Sequence, residues 1–358
     1  MEREMYFSSD KTKVIIISPI AEMNESIDFI NRMQYRYDNL LIIGNGFDLN
    51  LGLQTTYRDF TNSWIFKRMY VKRMQEKQNT GNPQPSLIDF LYGKKYIEKW
   101  YDIEASLLEY VSRKPDGSFV NNIKEDKKDY YLVCKSLIEY LASLFKEGAI
   151  DSNLEKKMME SPGGRLLWSF MPEAENVYSF NYTPIEWIMG VISGRFRNYD
   201  LVKVHGEIKK DTIIKGNIYD NTIILGIETN DMSNIAPGYS FMLKSNNKNF
   251  KSINIASDLM NTRNVIIFGH SLNQMDFGYF DSYFRMLAIN TDQWRKLTII
   301  TKNDSSRIAI LDNLRKMGIS VRDIFAHTKV EIILTDNLVN KKSEDSRLFE
   351  ELLLKVSY

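Results

Sequence analysis

The chain has 358 residues, 43% hydrophobic, 26% charged and 12% aromatic, with 47 basic side chains against 46 acidic ones and a net charge of +1. These proportions belong to a folded globular protein and exclude intrinsic disorder or a low-complexity scaffold; the near-neutral balance excludes a surface built throughout for nucleic acid or anionic membrane. A single cysteine, Cys134, excludes an internal disulfide framework and a Cys-rich zinc site.

The opening MEREMYFSSDKTK lacks the apolar core of a signal peptide, and no apolar run approaches the ~18 residues of a spanning helix. The expectation is a soluble, cytoplasmic protein with no membrane contact. The first strand is predicted at 13–17 (KVIII), followed by a helix over 21–36 with Ile27, Ile30 and Met33 on one face. Residues 40–43 are all apolar and stop at Gly44-Asn45-Gly46, the pattern of a parallel strand covered on both faces. A helix is predicted over 57–77 with Phe60, Trp64 and Val71 on one side, then a flexible connection at Pro83 and Pro85. A second helix is expected over 87–110, holding Trp100, Asp102 and Glu104, then a loop over 113–129. Residues 131–146 read as an amphipathic helix faced by Val133, Leu137, Tyr140 and Leu144, with Gly148 as C-cap.

Short β-branched runs then recur at 177–180, 201–204, 222–225, 265–268, 297–301 and 330–334, with helical stretches such as 305–317 between them. Strand–helix alternation implies an α/β domain with a largely parallel sheet. The expected organisation is a first part of the core at 1–52, a mostly helical insertion at 53–172, the remainder of the core at 173–340 and a C-terminal helix or tail at 341–358.

Four of these strands end in polar or glycine-rich clusters: Gly44-Asn45-Gly46-Phe47-Asp48, Asn181-Tyr182-Thr183, His205-Gly206 and Gly269-His270-Ser271. Ligands of open parallel sheets bind at such carboxyl ends. Gly44 and Gly46 suit close backbone approach, either to a phosphate or in an ordinary turn. His205 suits general-base work because an imidazole titrates near neutrality; a hydrogen-bonded loop histidine is the other reading, and His270 is its rival. Asn181 can hold a sugar hydroxyl or a water, or form an Asx-turn. Asp276 and Asp281 could cap a helix or bind a ribose. Three scattered histidines make a poor zinc set, so no metal is expected. The run Lys67, Arg68, Lys72, Arg73 and Lys77 reads as a solvated helical face ahead of a nucleic-acid contact. Trp100, Asp102 and Glu104 cannot all share one helical face, which assigns at least one of them a structural role.

Taken in order, IIGNGFDLNLGLQTTYRDF, WYDIE, YSFNYT, VHGE and FGHSLNQMD resemble the AbiH family of bacterial abortive-infection proteins, from about residue 39 to 282. That family is in turn distantly similar to the SIR2-like superfamily, which binds NAD on a Rossmann-like sheet. The resemblance implies a Rossmann-like fold and a nucleotide site in which Gly44, Asn45, Gly46 and Asp48 form the first loop. Asn181 would handle the nicotinamide ribose and its attacking water, His205 would be the catalytic histidine, and Gly269 and Ser271 would meet phosphate or ribose. One cysteine cannot build the four-cysteine zinc module of the sirtuin deacylases, so the implied activity is hydrolysis of NAD to nicotinamide and ADP-ribose. Where many SIR2-like proteins carry an acid after Asn-Tyr, Thr183 stands here, and Asp48 could serve instead. The alternative is a nucleotide-binding sensor without catalysis. A homo-oligomer, a phage-derived trigger or a neighbouring defence protein are the expected partners.

Overall fold

The apolar run at 40–43 lies in the interior of a six-stranded sheet. The computed structural model describes residues 35–81, 84–94, 102–146, 148–170, 177–185, 190, 201–216, 222–229, 231–251, 253–290 and 294–356, with two short strands at 6–7 and 14–15. Those two, β1 (Tyr6–Phe7) and β2 (Val14–Ile15), pair antiparallel and stand apart from the main sheet. The main sheet holds β3 (Tyr37–Ile43), β4 (Val177–Ser179), β5 (Val202–Lys203), β6 (Thr262–Phe268), β7 (Lys296–Thr301) and β8 (Lys329–Leu334). Its order is β5-β4-β3-β6-β7-β8 and every pairing is parallel, with Ile43 in register with Ser179 on one side and Phe268 on the other. The chain steps outward from β3 to β5 and then returns to β6, so a topological switch point falls between β3 and β6.

The helices are α1 (Asn45–Asn50), α2 (Tyr57–Asn62), α3 (Trp64–Asn79), α4 (Leu87–Gly93), α5 (Asp102–Val111), α6 (Ile123–Ser143), α7 (Ser152–Glu160), α8 (Pro162–Phe170), α9 (Lys210–Lys215), α10 (Ile255–Met260), α11 (Phe277–Ile289), α12 (Asp304–Lys316), α13 (Val321–His327) and α14 (Glu344–Val356). Alternation along the strands divides the apolar side chains between two cores. Leu41, Ile43, Ile266, Phe268 and Ile300 join the core built with α2 to α8 and α14. Leu40, Ile42, Val265, Ile267 and Ile299 join the core built with α10 to α13. Both faces are therefore dry, which is why the strands read as unbroken apolar runs. The α/β class and the Rossmann-like parallel sheet expected from the sequence are what the structure has.

Several local expectations are corrected. The helix expected over 57–77 is two helices, broken where Ser63 adopts an extended backbone and its hydroxyl accepts from the Phe66 amide to cap α3. The break turns the buried face: Phe60, Ile65, Phe66 and Met69 point inward, while Trp64 is 63% and Val71 54% exposed. The helix expected over 87–110 is α4 and α5, with residues 95–101 outside the described ones. Within the expected loop at 113–129, α6 already begins at Ile123. Its first turns look polar because Asp126 and Asp129 are buried acceptors for the Leu87 and Ile88 amides that open α4. The cap of α6 is Leu144, and Gly148 sits in a left-handed turn beyond it.

Residues 222–225 form no sheet strand; they run beside the segment after β5, with the Ile224 amide donating to the His205 carbonyl at 2.8 Å. Nor is the basic run a solvated face throughout. Arg73 is buried on Asp129 and Glu125, and Lys77 on Ser86 and Asp89. The helix predicted over 21–36 lies almost wholly outside the described residues, as does Trp100.

Candidate active site

At the carboxyl ends of the main sheet's strands, from β3 to β8, lies a cavity of about 880 Å³, within the range of small-molecule sites. Gly44, Asn45, Gly46, Asn181, His205, Gly269, Ser271 and Asp276 all line it, so the four separate strand ends converge on one wall. Asp48 lies behind that wall, buried. Asp281, by contrast, pairs with Arg285 on the surface, and His327 bonds the Ala288 carbonyl far along the chain from the cluster.

The glycines act on one another. A Cβ on Gly44 would stand 2.6 Å from the His270 Cα, one on Gly46 2.8 Å from the Gly269 Cα, and one on Gly269 2.2 Å from the Phe47 nitrogen. The Gly46 amide donates to the Gly269 carbonyl at 2.8 Å. What these backbones approach so closely is each other, and the contact clamps the turn after β3 to the turn after β6 across the switch point.

Asn181 spends its amide nitrogen on two acceptors, the Gly44 carbonyl at 2.9 Å and Asp48 Oδ1 at 2.7 Å. Its carboxamide oxygen is the atom left for a ligand. Asp48 also accepts from the Thr183 hydroxyl at 2.8 Å, so the threonine that follows Asn-Tyr is joined to a buried acid. Burial pushes the Asp48 carboxyl up to about 7, against the pull of Thr183, Asn181 and Lys203.

Asp276 is the hub of a charged cluster in the same lining. Its Oδ1 faces His205 Nε2 at 3.0 Å and Lys244 Nζ at 3.6 Å, and its Oδ2 faces His270 Nε2 at 3.4 Å. Burial alone would raise its carboxyl, but Lys244 and the two imidazoles outweigh it and hold the group well below the carboxylate range. His205 is driven down to about 4 by burial first and by Lys244 second, with Asp276 opposing. It is therefore neutral at physiological pH. Facing an ionised acceptor, Nε2 carries the hydrogen and Nδ1 keeps its lone pair. His270 has the same tautomer, because its Nδ1 accepts from the Leu272 amide at 3.0 Å, but that bond occupies the lone pair that His205 keeps open.

Two residues that sequence reasoning missed or undervalued complete the cluster. Glu104 of α5 lines the cavity, and its Oε2 pairs with Lys244 Nζ at 2.8 Å, both side chains buried. Burial lifts Glu104 to about 7 against the Lys244 charge. Glu104 belonged to the WYDIE motif; Lys244 follows a run of 3₁₀ turns and carries no local signal. The far half of the cavity is bounded by Arg58 of α2 and by Lys302, Asn303, Ser306 and Asp336, at the ends of β7 and β8 and the capped start of α12. Among the described residues no group of three or more His, Cys, Asp or Glu is arranged to hold a metal ion, and no helix is long and apolar enough to cross a membrane.

A parallel sheet with a cavity at its switch point, its lining surface mostly apolar with a few convergent polar groups, defines an α/β protein with a small-molecule site at the strand ends. Its kind is settled by a family profile: the one described as "Bacteriophage abortive infection AbiH" matches residues 40–297, and the chain belongs to the AbiH family. Its role is accordingly anti-phage abortive infection. Curated proteins offer no match.

Proposed function

We propose that the cavity takes NAD⁺ and hydrolyses the bond between nicotinamide and ribose, releasing nicotinamide and ADP-ribose, as the chemical arm of abortive infection. One observation carries the reading: Asn181 and His205, from two different strand ends, stand in the wall of one cavity, with His205 neutral and backed by an ionised Asp276. The order of the strand-end clusters supports a distant relationship to SIR2-like proteins.

Cleavage moves positive charge from the pyridinium to the ribose, and nicotinamide leaves as a neutral molecule, so no strong acid is needed. The tasks that remain are to hold the ribose, place a water and accept its proton. Asn181 offers its carboxamide oxygen to a ribose hydroxyl or the water. His205 Nδ1 accepts the proton, and Asp276 stabilises the imidazolium that results. Because the three glycines fill one another's space, the pyrophosphate and adenosine fall to Ser271, Asn45 and the far half of the cavity. Unchecked NAD⁺ loss would harm the host, so the helices between β3 and β4 are the place for a gate, worked by a second copy, a phage-derived trigger or a neighbouring defence protein.

Purified protein incubated with NAD⁺ should yield free nicotinamide and ADP-ribose by mass spectrometry, and His205→Ala should cut the rate about 10²–10⁴-fold with the fold intact. Unchanged turnover in that variant removes His205 from the chemistry. Calorimetric binding with NAD⁺ returned whole identifies a nucleotide sensor instead.

A further inference from the structure

No strand end supplies Glu104; α5 carries it into the cavity from the helical stretch between β3 and β4. A buried carboxylate is costly unless paired, and among the described residues Glu104 pairs with the cation Lys244 at 2.8 Å and accepts a hydrogen bond from the backbone of Gly226. That cation is shared with Asp276 at 3.6 Å. Two carboxylates share one ammonium there, so Glu104 holds a proton below about pH 7 and adds a negative charge to the wall above that pH, where a purely structural ion pair would balance to zero. The two carboxylates are also differently engaged. Asp276 is turned to His205 and His270, whereas Glu104 contacts neither imidazole.

Lys244 is itself set with care: its amide donates to the Ile227 carbonyl at 2.9 Å, and the Ile227 amide to the Met242 carbonyl at 2.9 Å. The approach of these two segments needs Gly226, where a Cβ would lie 2.4 Å from the Met242 oxygen.

We propose that Glu104 is a catalytic carboxylate of this pocket, facing the ribose and stabilising the positive charge that develops there, with Lys244 and Asp276 as its positioning residues. The assignment rests on the NAD⁺-cleaving reading. As the water oxygen bonds to the ribose C1′, the C1′–N bond breaks and its electron pair goes to the nicotinamide nitrogen. The water proton goes to His205 and then to solvent, while Glu104 stays ionised and offsets the cationic sugar.

The groups around Glu104 are Lys244, Asp276, Tyr182, Tyr130 of α6 and Tyr279 of α11; burial raises all three phenols, which stay neutral. Glu104→Gln keeps the size and an acceptor for Lys244. It should lower kcat about 10²–10³-fold with KM changed less than about 3-fold. Wild-type kcat should rise with pH through about 7 as Glu104 ionises, and the Gln variant should lose that limb while Glu104→Asp regains part of the rate. Wild-type kcat in Glu104→Gln overturns the assignment alone. A limb that survives in Glu104→Gln but vanishes in Asp48→Asn overturns it in favour of Asp48. If the wild-type protein releases no nicotinamide at all, the NAD⁺-cleaving reading falls and takes this assignment with it.

Discussion

Asp48 shows how a side chain behind a cavity lining can carry the strain of the site, buried and bonded to Asn181. Its carboxyl is raised to about 7 in the fold and titrates near 4 in an unfolded chain. The native state therefore holds a proton that the unfolded state has released, and Asp48 costs stability progressively as pH rises from about 4 to about 7, then no further. Asn at this position mimics the protonated acid. Asp48→Asn should gain on the wild type by roughly 2–3 kcal/mol between pH 5 and pH 8, read from denaturant unfolding at the two values; a difference independent of pH would mean the carboxylate is ionised throughout. His205 works in the opposite sense. The unfolded chain binds a proton near 6.5 that the native site refuses until about 4, so this group lowers stability as pH falls through that window.

At the level of elements, the turns after β3 and β6 are held together by missing side chains. Gly269 has φ +66° and would place a Cβ 2.2 Å from the Phe47 nitrogen, against backbone that cannot swing away. Gly269→Ala should lose at least about 2 kcal/mol, from strain and from the displaced turn. Gly278 in the first turn of α11 meets nothing within 4 Å and needs no positive φ. Gly278→Ala should therefore be neutral or stabilising by up to about 1 kcal/mol. Thermal melts of the two variants separate a required glycine from a permitted one, and equal losses would defeat the argument.

For the molecule as a whole, the question is how the helices between β3 and β4 relate to the sheet. They share a core with its strands, Phe47, Phe66 and Leu137 belonging to the same cluster as Ile43 and Phe268. The polar network around Arg73 ties α3 to α6, and Asp129 goes on to bond the Ile88 amide at the start of α4. Arg73→Met leaves buried carboxylates short of a partner and should cost about 3–5 kcal/mol. If sheet and helices unfold as one unit, hydrogen exchange at Ile42 and Ile267 should lose as much protection as exchange in α6. A loss confined to α6 would show that the helical layer opens separately.

The α/β class and the interior strands were legible in the chain, because strands buried on both faces must be apolar throughout and must stop where the backbone turns. So were the strand-end clusters, since glycine, Asn181 and His205 stand out against the apolar runs that precede them. The division at Ser63 and the early start of α6 were not legible. A single hydroxyl makes the first, and buried aspartates bonded to a distant helix disguise the second as a loop. The charge state of the pocket was equally hidden. Glu104, Lys244 and Asp276 lie far apart in sequence and affect one another only through a shared, desolvated space. Local pattern fixes which segments fold and where they end; long-range packing alone decides which carboxylate meets which cation, because Coulomb and burial energies depend on distances the chain sets only when it closes.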